Sequence, residues 1–204
     1  MDASNSDHTG ERCLVVILGQ TRCHEKTFQN IKYNLIDRLK ADVCLCVGAK
    51  KSAPPTPFHK IAKYNFTITE PCDWGKTFDF MYKKIVSKHS DRTDIPPWRD
   101  LLKIGNQWLG GIPDKHQHPG SAGILIFFRW FLMEMIKKYK LTKLYDRFII
   151  TRSDYIYTLP HPSLEYLDKE HIWIPYGEQY GGYTDTVSYT HLTLPTKRIV
   201  YISV

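Results

Sequence analysis

The chain has 204 residues, of which 42% are hydrophobic, and a formal net charge of +7. This length suits one well-buried domain and is too short for two generous ones. The basic residues are spread along the chain without a dense cluster, so the charge does not indicate nucleic-acid binding. The longest nearly apolar run, from Ala122 to Met133, contains Arg129 and is shorter than the ~20 residues of a membrane span, so we expect no membrane span.

Residues 1–11 form a polar leader that carries acidic residues early. A secretory signal would begin with a basic patch and an apolar core, so we predict a disordered leader on a cytoplasmic protein. The cysteines favour the same reduced compartment, because they are odd in number and lie mostly in or beside apolar runs, where a free thiol packs as a small hydrophobe. They are Cys13, Cys23, Cys44, Cys46 and Cys72.

The first part of the chain has the pattern of a strand, a helix and a second strand. Residues 13–18 (CLVVIL) form a continuous apolar run, which is typical of a strand buried on both faces of a largely parallel sheet. A helix is predicted over 27–39, with Thr27 as its cap, and a strand over 42–47. This order predicts a parallel βαβ unit. Its first loop, which opens towards the ligand side, contains Gly19, Gln20, Thr21 and Arg22.

The same alternation continues along the rest of the chain. A strand exposed on one side is predicted over 64–69, and a helix with an apolar face over 75–89. A long helix from Gly120 to about Lys140 is apolar almost all round in its first half, which predicts a central, buried position. Strands are predicted over 148–151 and 171–175. The pattern predicts an α/β, Rossmann-like fold with a mostly parallel central sheet and helices on both faces.

Two groups of residues have the side chains of metal ligands. Cys44 and Cys46 share one face of a predicted strand, but no CxxC pair is present, so packing in the core is the better interpretation. His116 and His118 form a pair in an irregular region with no acidic partner close in sequence, which favours a solvent-facing loop.

The segment YDRFIITRSDYIY, residues 145–157, is the most informative one in the chain. Its apolar strand ends abruptly in Arg152, Ser153 and Asp154. Ligands of open α/β sheets bind beyond the carboxyl ends of the strands, so a cation and a carboxylate there can hold an anionic ligand or a metal bound to it. The alternative interpretation is an ordinary salt bridge in a loop.

A glycine-rich loop, residues 177–185 (GEQYGGYTD), follows the last predicted strand. Glycines let the backbone approach a ligand closely, although a Gly-Gly pair alone is a weak signal. The loop also contains two carboxylates, Glu178 and Asp185.

Three motifs therefore occur in order along the chain: GQTR, YDRFIITRSDYIY and IWIPYGEQYGGYTD. Together they resemble a poorly characterised group of GT-A-like glycosyltransferases. In that group the first strand ends in G-Q-x-R, the middle strand reads YD...R-x-R-x-D, and a later loop reads G-G-x-x-D-R-F. The resemblance covers nearly all of the chain from Cys13 to Asp185.

This resemblance implies a GT-A sandwich that binds a nucleoside-diphosphate-sugar donor over the strand ends. It also implies a glycan or other hydroxyl acceptor, as in polysaccharide biosynthesis. Asp154 would act as the DXD-like acid and hold a divalent metal, Mn²⁺ or Mg²⁺, that neutralises the leaving diphosphate. Arg22 and Arg152 would contact phosphate oxygens. The donor-binding residues that the resemblance implies are Gly19, Gln20, Thr21, Arg22, Arg152 and Asp154.

Asp185 and Glu178 are the candidates for the catalytic base that takes the acceptor's proton, and local capping is their alternative role. The chain departs from the group's pattern at Thr151, where a second arginine is common, and at Thr186, where an arginine is expected. Two other functions stay open: a non-catalytic nucleotide-sugar-binding or scaffold protein, and another Rossmann-like nucleotide-dependent enzyme. The second is disfavoured because GQTRCH lacks G-x-G-x-x-G.

The last stretch of the chain breaks the pattern. Residues 187–196 (VSYTHLTLPT) can be encoded by GTC TCT TAT ACA CAT CTG ACG CTG CCG ACG, which resembles the transposase adapter used in preparing sequencing libraries. We therefore expect residues 12–185 to be an incomplete donor-binding domain and residues 186–204 to be a non-native tail.

Sequencing the locus directly from genomic DNA tests this expectation. The reading frame is expected to diverge from the present sequence close to residue 186, because adapter sequence is absent from the genome. A genomic read that returns residues 187–196 unchanged would contradict it.

Overall fold

The computed structural model describes residues 10–101, 103–104, 107–108, 111–112, 122–175, 187–190 and 198–202. Ten strands lie in these ranges. They are β1 Cys13–Gly19, β2 Asp42–Ala49, β3 Tyr64–Asn65, β4 Ile68–Thr69, β5 Lys103–Ile104, β6 Gln107–Trp108, β7 Arg147–Thr151, β8 His171–Pro175, β9 Val187–Thr190 and β10 Arg198–Ile202.

Five α-helices lie in the same described ranges. They are α1 His24–Ile31, α2 Pro57–Ile61, α3 Trp74–Lys88, α4 Trp98–Leu101 and α5 Ala122–Lys138. Helix α1 continues directly into a π-helical segment, Lys32–Asp37, and two 3₁₀ turns lie at Leu141–Lys143 and Leu164–Tyr166. Within the described residues, no helix has the length and apolar character needed to cross a membrane.

The main sheet has eight strands, with β1 next to its centre. The order is β10-β8-β9-β7-β1-β2-β3, and β4 also pairs with β2. Strand β1 is parallel to both β2 and β7, whereas β9 is antiparallel to its neighbours β7 and β8. The predicted Rossmann-like α/β fold with a mostly parallel central sheet is confirmed.

Helices cover both faces of β1, and this explains why its sequence is apolar at every position. Leu14, Val16 and Leu18 belong to a core that includes side chains of α3 and α5. Cys13, Val15 and Ile17 belong to a second core, which includes side chains of α1. A strand that is buried on both faces needs a continuous apolar run rather than an alternating one.

The elements differ from their predicted bounds in three places. The first helix begins at His24 rather than near Thr27, because Cys23 precedes it in the left-handed conformation, with φ of 56°. The predicted strand over 64–69 is divided into β3 and β4. The sequence also predicts a short helix over 98–104, whereas the observed helix ends at Leu101 and β5 follows it.

Two further observations concern the ends of the chain. Gly10 and Glu11 belong to the predicted leader, and Glu11 accepts a hydrogen bond from Arg147 Nε at 2.9 Å. Strands β9 and β10 lie in the predicted non-native tail, residues 186–204, where no strand was predicted. The origin of that tail stays a prediction.

Phe128 of helix α5 lies in the core that α3 and α5 form with β1, and its substitution tests the packing of that core. Phe128 is fully buried, with its ring centroid 5.3 Å from that of Phe127 and 6.2 Å from that of Trp74. Phe128→Ala is expected to lower the free energy of unfolding by about 3–5 kcal/mol, because it removes buried apolar surface and leaves a cavity. Chemical denaturation measures this change.

Ile126 provides the control on the same helix, since its side chain is 56% exposed. Ile126→Ala is expected to change the unfolding free energy by about 0.5 kcal/mol or less. Equal losses from the two substitutions would contradict the burial of Phe128.

Candidate functional site

A cleft lies at the carboxyl end of β1 and β7, where the order of the sheet reverses. The chain leaves β1 for β2 on one side and returns later to β7 on the other side. Open α/β sheets bind ligands at such a switch point, because the loops after the two strands diverge and leave a crevice. The cleft has a cavity volume of about 120 Å³ and is partly open to solvent. It is lined by Leu18, Gly19, Gln20, Arg22, Ile124, Leu125, Phe128, Arg152 and Asp154.

The wall of this cleft that follows β1 begins at Gly19. This glycine has φ of +97°, a conformation that side chains of L residues rarely adopt. A β-carbon placed on it would lie 3.8 Å from Leu125 Cδ2, which is ordinary van der Waals contact. Gly19 is therefore required by the backbone turn that directs the loop over the strand ends, and not by a lack of space.

Among the described residues that line the cleft, the charged ones are two arginines and one aspartate. Arg152 donates two hydrogen bonds to Asp154, from Nε to Oδ1 at 2.9 Å and from Nη2 to Oδ2 at 2.8 Å. Arg22, from the other loop, has its Nη2 3.9 Å from Asp154 Oδ2, and its side chain is 63% exposed. Two guanidinium groups from adjacent strands therefore converge on one carboxylate.

The electrostatics of this cluster favour the ionised form of Asp154. Hydrogen bonds from Arg152 are the main reason that the pKa of the Asp154 carboxyl lies below its usual value, and partial burial opposes the change. The charges of Arg22 and Arg152 act in the same direction. With two guanidinium groups and one carboxylate, the cluster carries one net positive charge, which suits an anionic ligand.

Ser153 links the two loops, a role that the sequence analysis missed. Its side chain is buried, and its hydroxyl lies 2.7 Å from the carbonyl oxygen of Gln20 and 2.9 Å from that of Arg22. One hydroxyl proton serves these two acceptors, so the bond is shared between them. Thr27, at the start of α1, donates to the carbonyl oxygen of Ser153 at 2.5 Å. The loops that carry Arg22 and Arg152 are thus fixed relative to each other.

Glu70 is a second residue that the sequence did not indicate. It follows β4 and accepts a hydrogen bond from Gln20 Nε2 at 2.5 Å. A β-carbon on Gly48, at the end of β2, would lie 2.7 Å from Glu70 Cγ and 3.0 Å from Phe128 Cζ. The Glu70 side chain therefore lies against a glycine at the ligand-side end of β2, where it holds the amide of Gln20.

The structure brings together most of the residues that the sequence indicated for donor binding. Five of the six, all except Thr21, line the cleft. Thr21 instead contacts His24 Nδ1 through its carbonyl oxygen, at 3.0 Å. Asp185 and Glu178, the candidates for the catalytic base, lie outside the described residues. Their roles stay predictions.

The described residues do not fit the divalent metal that the resemblance implies at Asp154. Mg²⁺ and Mn²⁺ need several oxygen ligands, and both oxygens of Asp154 already accept hydrogen bonds from Arg152. No group of three or more His, Cys, Asp or Glu side chains that could hold a metal occurs in the described part of the chain.

The sequence contains two other groups of possible metal ligands. Cys44 and Cys46 are buried in β2, and burial raises the pKa of the Cys44 thiol to about 12, so it packs as a protonated apolar side chain. His116 and His118 lie outside the described residues.

Comparison with known proteins gives no further assignment. No protein-family model, curated protein or solved structure matches this chain. The GT-A resemblance therefore depends on the sequence motifs alone and stays a prediction, whereas the α/β fold depends on the described sheet.

Ser153→Ala tests the link between the loops. Loss of the hydroxyl removes a buried donor and is expected to lower the unfolding free energy by about 1–3 kcal/mol. It should also speed hydrogen exchange of the backbone at residues 20–23, because that loop loses its anchor. Ser87→Ala is the control, since Ser87 is exposed and bonds only within α3. Equal effects of the two variants on exchange at residues 20–23 would contradict the proposed link.

The lowered pKa of Asp154 predicts a pH dependence of stability. A carboxyl whose pKa is lower in the folded state stabilises that state above its unfolded pKa, about 3.9, and this stabilisation is lost as pH falls through the folded value. Asp154→Asn is therefore expected to lower the unfolding free energy at pH 7, and the difference from the wild type should shrink below about pH 4.

Asp94→Asn is the matched control for this measurement. Asp94 accepts an equivalent bidentate pair from Arg92, but both side chains are more exposed, so solvent screening should make its effect smaller. A difference for Asp154→Asn that is the same at pH 3 and pH 7 would contradict the assignment.

Proposed function

We propose that this chain is a glycosyltransferase that transfers a sugar from a nucleoside-diphosphate sugar to a hydroxyl acceptor such as a glycan. The observation that carries the proposal is the convergence of Arg22 and Arg152 on the cleft at the switch point of the sheet. The order of the three sequence motifs supports the same function. A role in polysaccharide biosynthesis and a cytoplasmic location belong to the proposal.

The arginines account for recognition of the donor's diphosphate. A guanidinium group binds phosphate oxygens through planar, paired N–H donors, and such charge-assisted bonds are stronger than neutral ones. The exposed side chain of Arg22 lies at the mouth of the cleft, and the less exposed Arg152 lies beside Asp154. A diphosphate at the mouth would therefore contact positive groups from both loops.

The same groups would assist the chemical step. As the bond between the sugar and the diphosphate breaks, negative charge grows on the leaving nucleoside diphosphate, and fixed positive groups stabilise that charge in the transition state. The acceptor hydroxyl attacks the sugar carbon and gives its proton to a carboxylate base. We propose Asp185 or Glu178 for that base.

Assays of sugar transfer and donor hydrolysis on an untruncated clone, with a panel of UDP-, GDP-, ADP- and dTDP-sugars, test the proposal. Arg22→Gln and Arg152→Gln are each expected to lower kcat/KM for the active donor by at least about tenfold, since each removes a charge-assisted bond. Arg92→Gln is the control, because Arg92 forms an equivalent arginine–aspartate pair in an exposed loop away from the cleft. Its kcat/KM should equal that of the wild type.

The outcomes separate the possible functions. Donor binding without turnover would favour a non-catalytic nucleotide-sugar-binding protein. Binding of NAD or NADP in place of every nucleoside-diphosphate sugar would favour a different Rossmann-like enzyme. No binding of any donor by a folded sample would overturn the proposal.

A further inference from the structure

We infer that Asp154 positions the two arginines instead of binding a metal, and that the cleft binds a nucleoside diphosphate without a divalent cation. This inference rests on the proposed function, because it concerns the same cleft and the same donor. It reverses the role that the sequence motif implies for Asp154.

The hydrogen bonds of Asp154 disfavour a metal at its carboxylate. Both of its oxygens accept bonds from Arg152, in a planar bidentate arrangement with distances of 2.9 and 2.8 Å. A divalent cation at either oxygen would have to displace Arg152 or lie next to its guanidinium group. Displacing Arg152 breaks a charge-assisted pair, and a cation next to its guanidinium group is repelled by it.

The charge balance of the cluster also favours a positioning role for Asp154. Arg22 reaches the same carboxylate from the loop after β1, with 3.9 Å between Nη2 and Oδ2, which is too long for a hydrogen bond. The carboxylate therefore lies between two guanidinium groups and reduces their mutual repulsion. Asp154 can hold both guanidinium groups near the mouth of the cleft while the cluster keeps a net positive charge. In a carboxylate-rich site, a metal supplies this positive charge.

The two loops that carry the arginines are also fixed to each other. Ser153, between Arg152 and Asp154 in sequence, bonds to the carbonyl oxygens of Gln20 and Arg22. The backbone positions from which the two arginine side chains extend are therefore set by the fold before any ligand arrives. Preorganised donors stabilise an anion at lower entropic cost than donors that must be ordered on binding.

Arg92 and Asp94 form an exposed pair with the same bidentate contact but without the other features of the cleft. It has the same spacing in sequence and nearly the same geometry, at 2.9 and 2.7 Å. Its side chains are 57% and 67% exposed, against 28% and 24% for Arg152 and Asp154. Arg22 and the link through Ser153 are the features that distinguish the pair in the cleft from this exposed pair.

The test measures binding of UDP, GDP and ADP to the full chain by calorimetry, once with EDTA and once with Mn²⁺. We expect the best nucleoside diphosphate to bind with dissociation constants that agree within about threefold under the two conditions. Titration of the protein with Mn²⁺ alone, followed by electron paramagnetic resonance, should show no Mn²⁺ bound at an aspartate-dependent site.

Three variants distinguish an arginine anchor from a metal ligand. Asp154→Asn removes a negative charge from an anion site, so the dissociation constant of the nucleoside diphosphate in EDTA should not rise. Its kcat should fall by about tenfold, because the guanidinium groups lose their fixed orientation. Arg152→Gln should raise the dissociation constant by at least about tenfold in both conditions. Arg92→Gln should change neither quantity.

Each alternative result has a distinct meaning. Binding that appears only with Mn²⁺ and is abolished by Asp154→Asn would overturn the inference and leave the proposed function intact. If no nucleoside diphosphate binds in either condition to protein that is folded by circular dichroism, the proposed function fails and the inference fails with it.

Discussion

The parallel pairing of β1 with β7 is the constraint on which the candidate site depends. These strands are far apart in sequence, yet Cys13 pairs with Arg147 and Ile17 with Thr151. Because the strands are parallel, the loops that follow them emerge at the same edge of the sheet. Ser153 then fixes the loops to each other, and Arg22 and Arg152 become neighbours. Without this pairing, the two arginines would belong to unrelated loops.

Charge and burial act together at this edge. A bidentate arginine–aspartate pair also occurs at Arg92 and Asp94, where it is exposed and Arg92 is the one arginine among the described residues that acts on the carboxylate. At Asp154 the carboxylate is less exposed and meets guanidinium groups from two loops, so its ionised form is favoured and its surroundings stay positive. The same chemical pair therefore has different consequences in a loop and in a cleft.

Much of the fold could be predicted from local patterns. The continuous apolar run of β1 and the alternation of strands and helices depend on burial along the chain, which periodicity reveals. The bounds of short elements could not be predicted as well. The division of residues 64–69 into β3 and β4 depends on pairing with β2 at two separate places. Asp185 and Glu178 stay predictions from the motifs.

The fold class and the candidate site at the strand ends near Gly19 and Arg152 could be predicted from the sequence, because burial leaves a pattern in consecutive residues. The arrangement of the charges at that site depends on the tertiary structure. Ser153 and Glu70 act through partners that are 50 to 133 positions away, and no local pattern records such contacts. The motif implied a metal ligand at Asp154, whereas the fold surrounds that carboxylate with Arg22 and Arg152, since hydrogen bonding depends on distance in space and not in sequence.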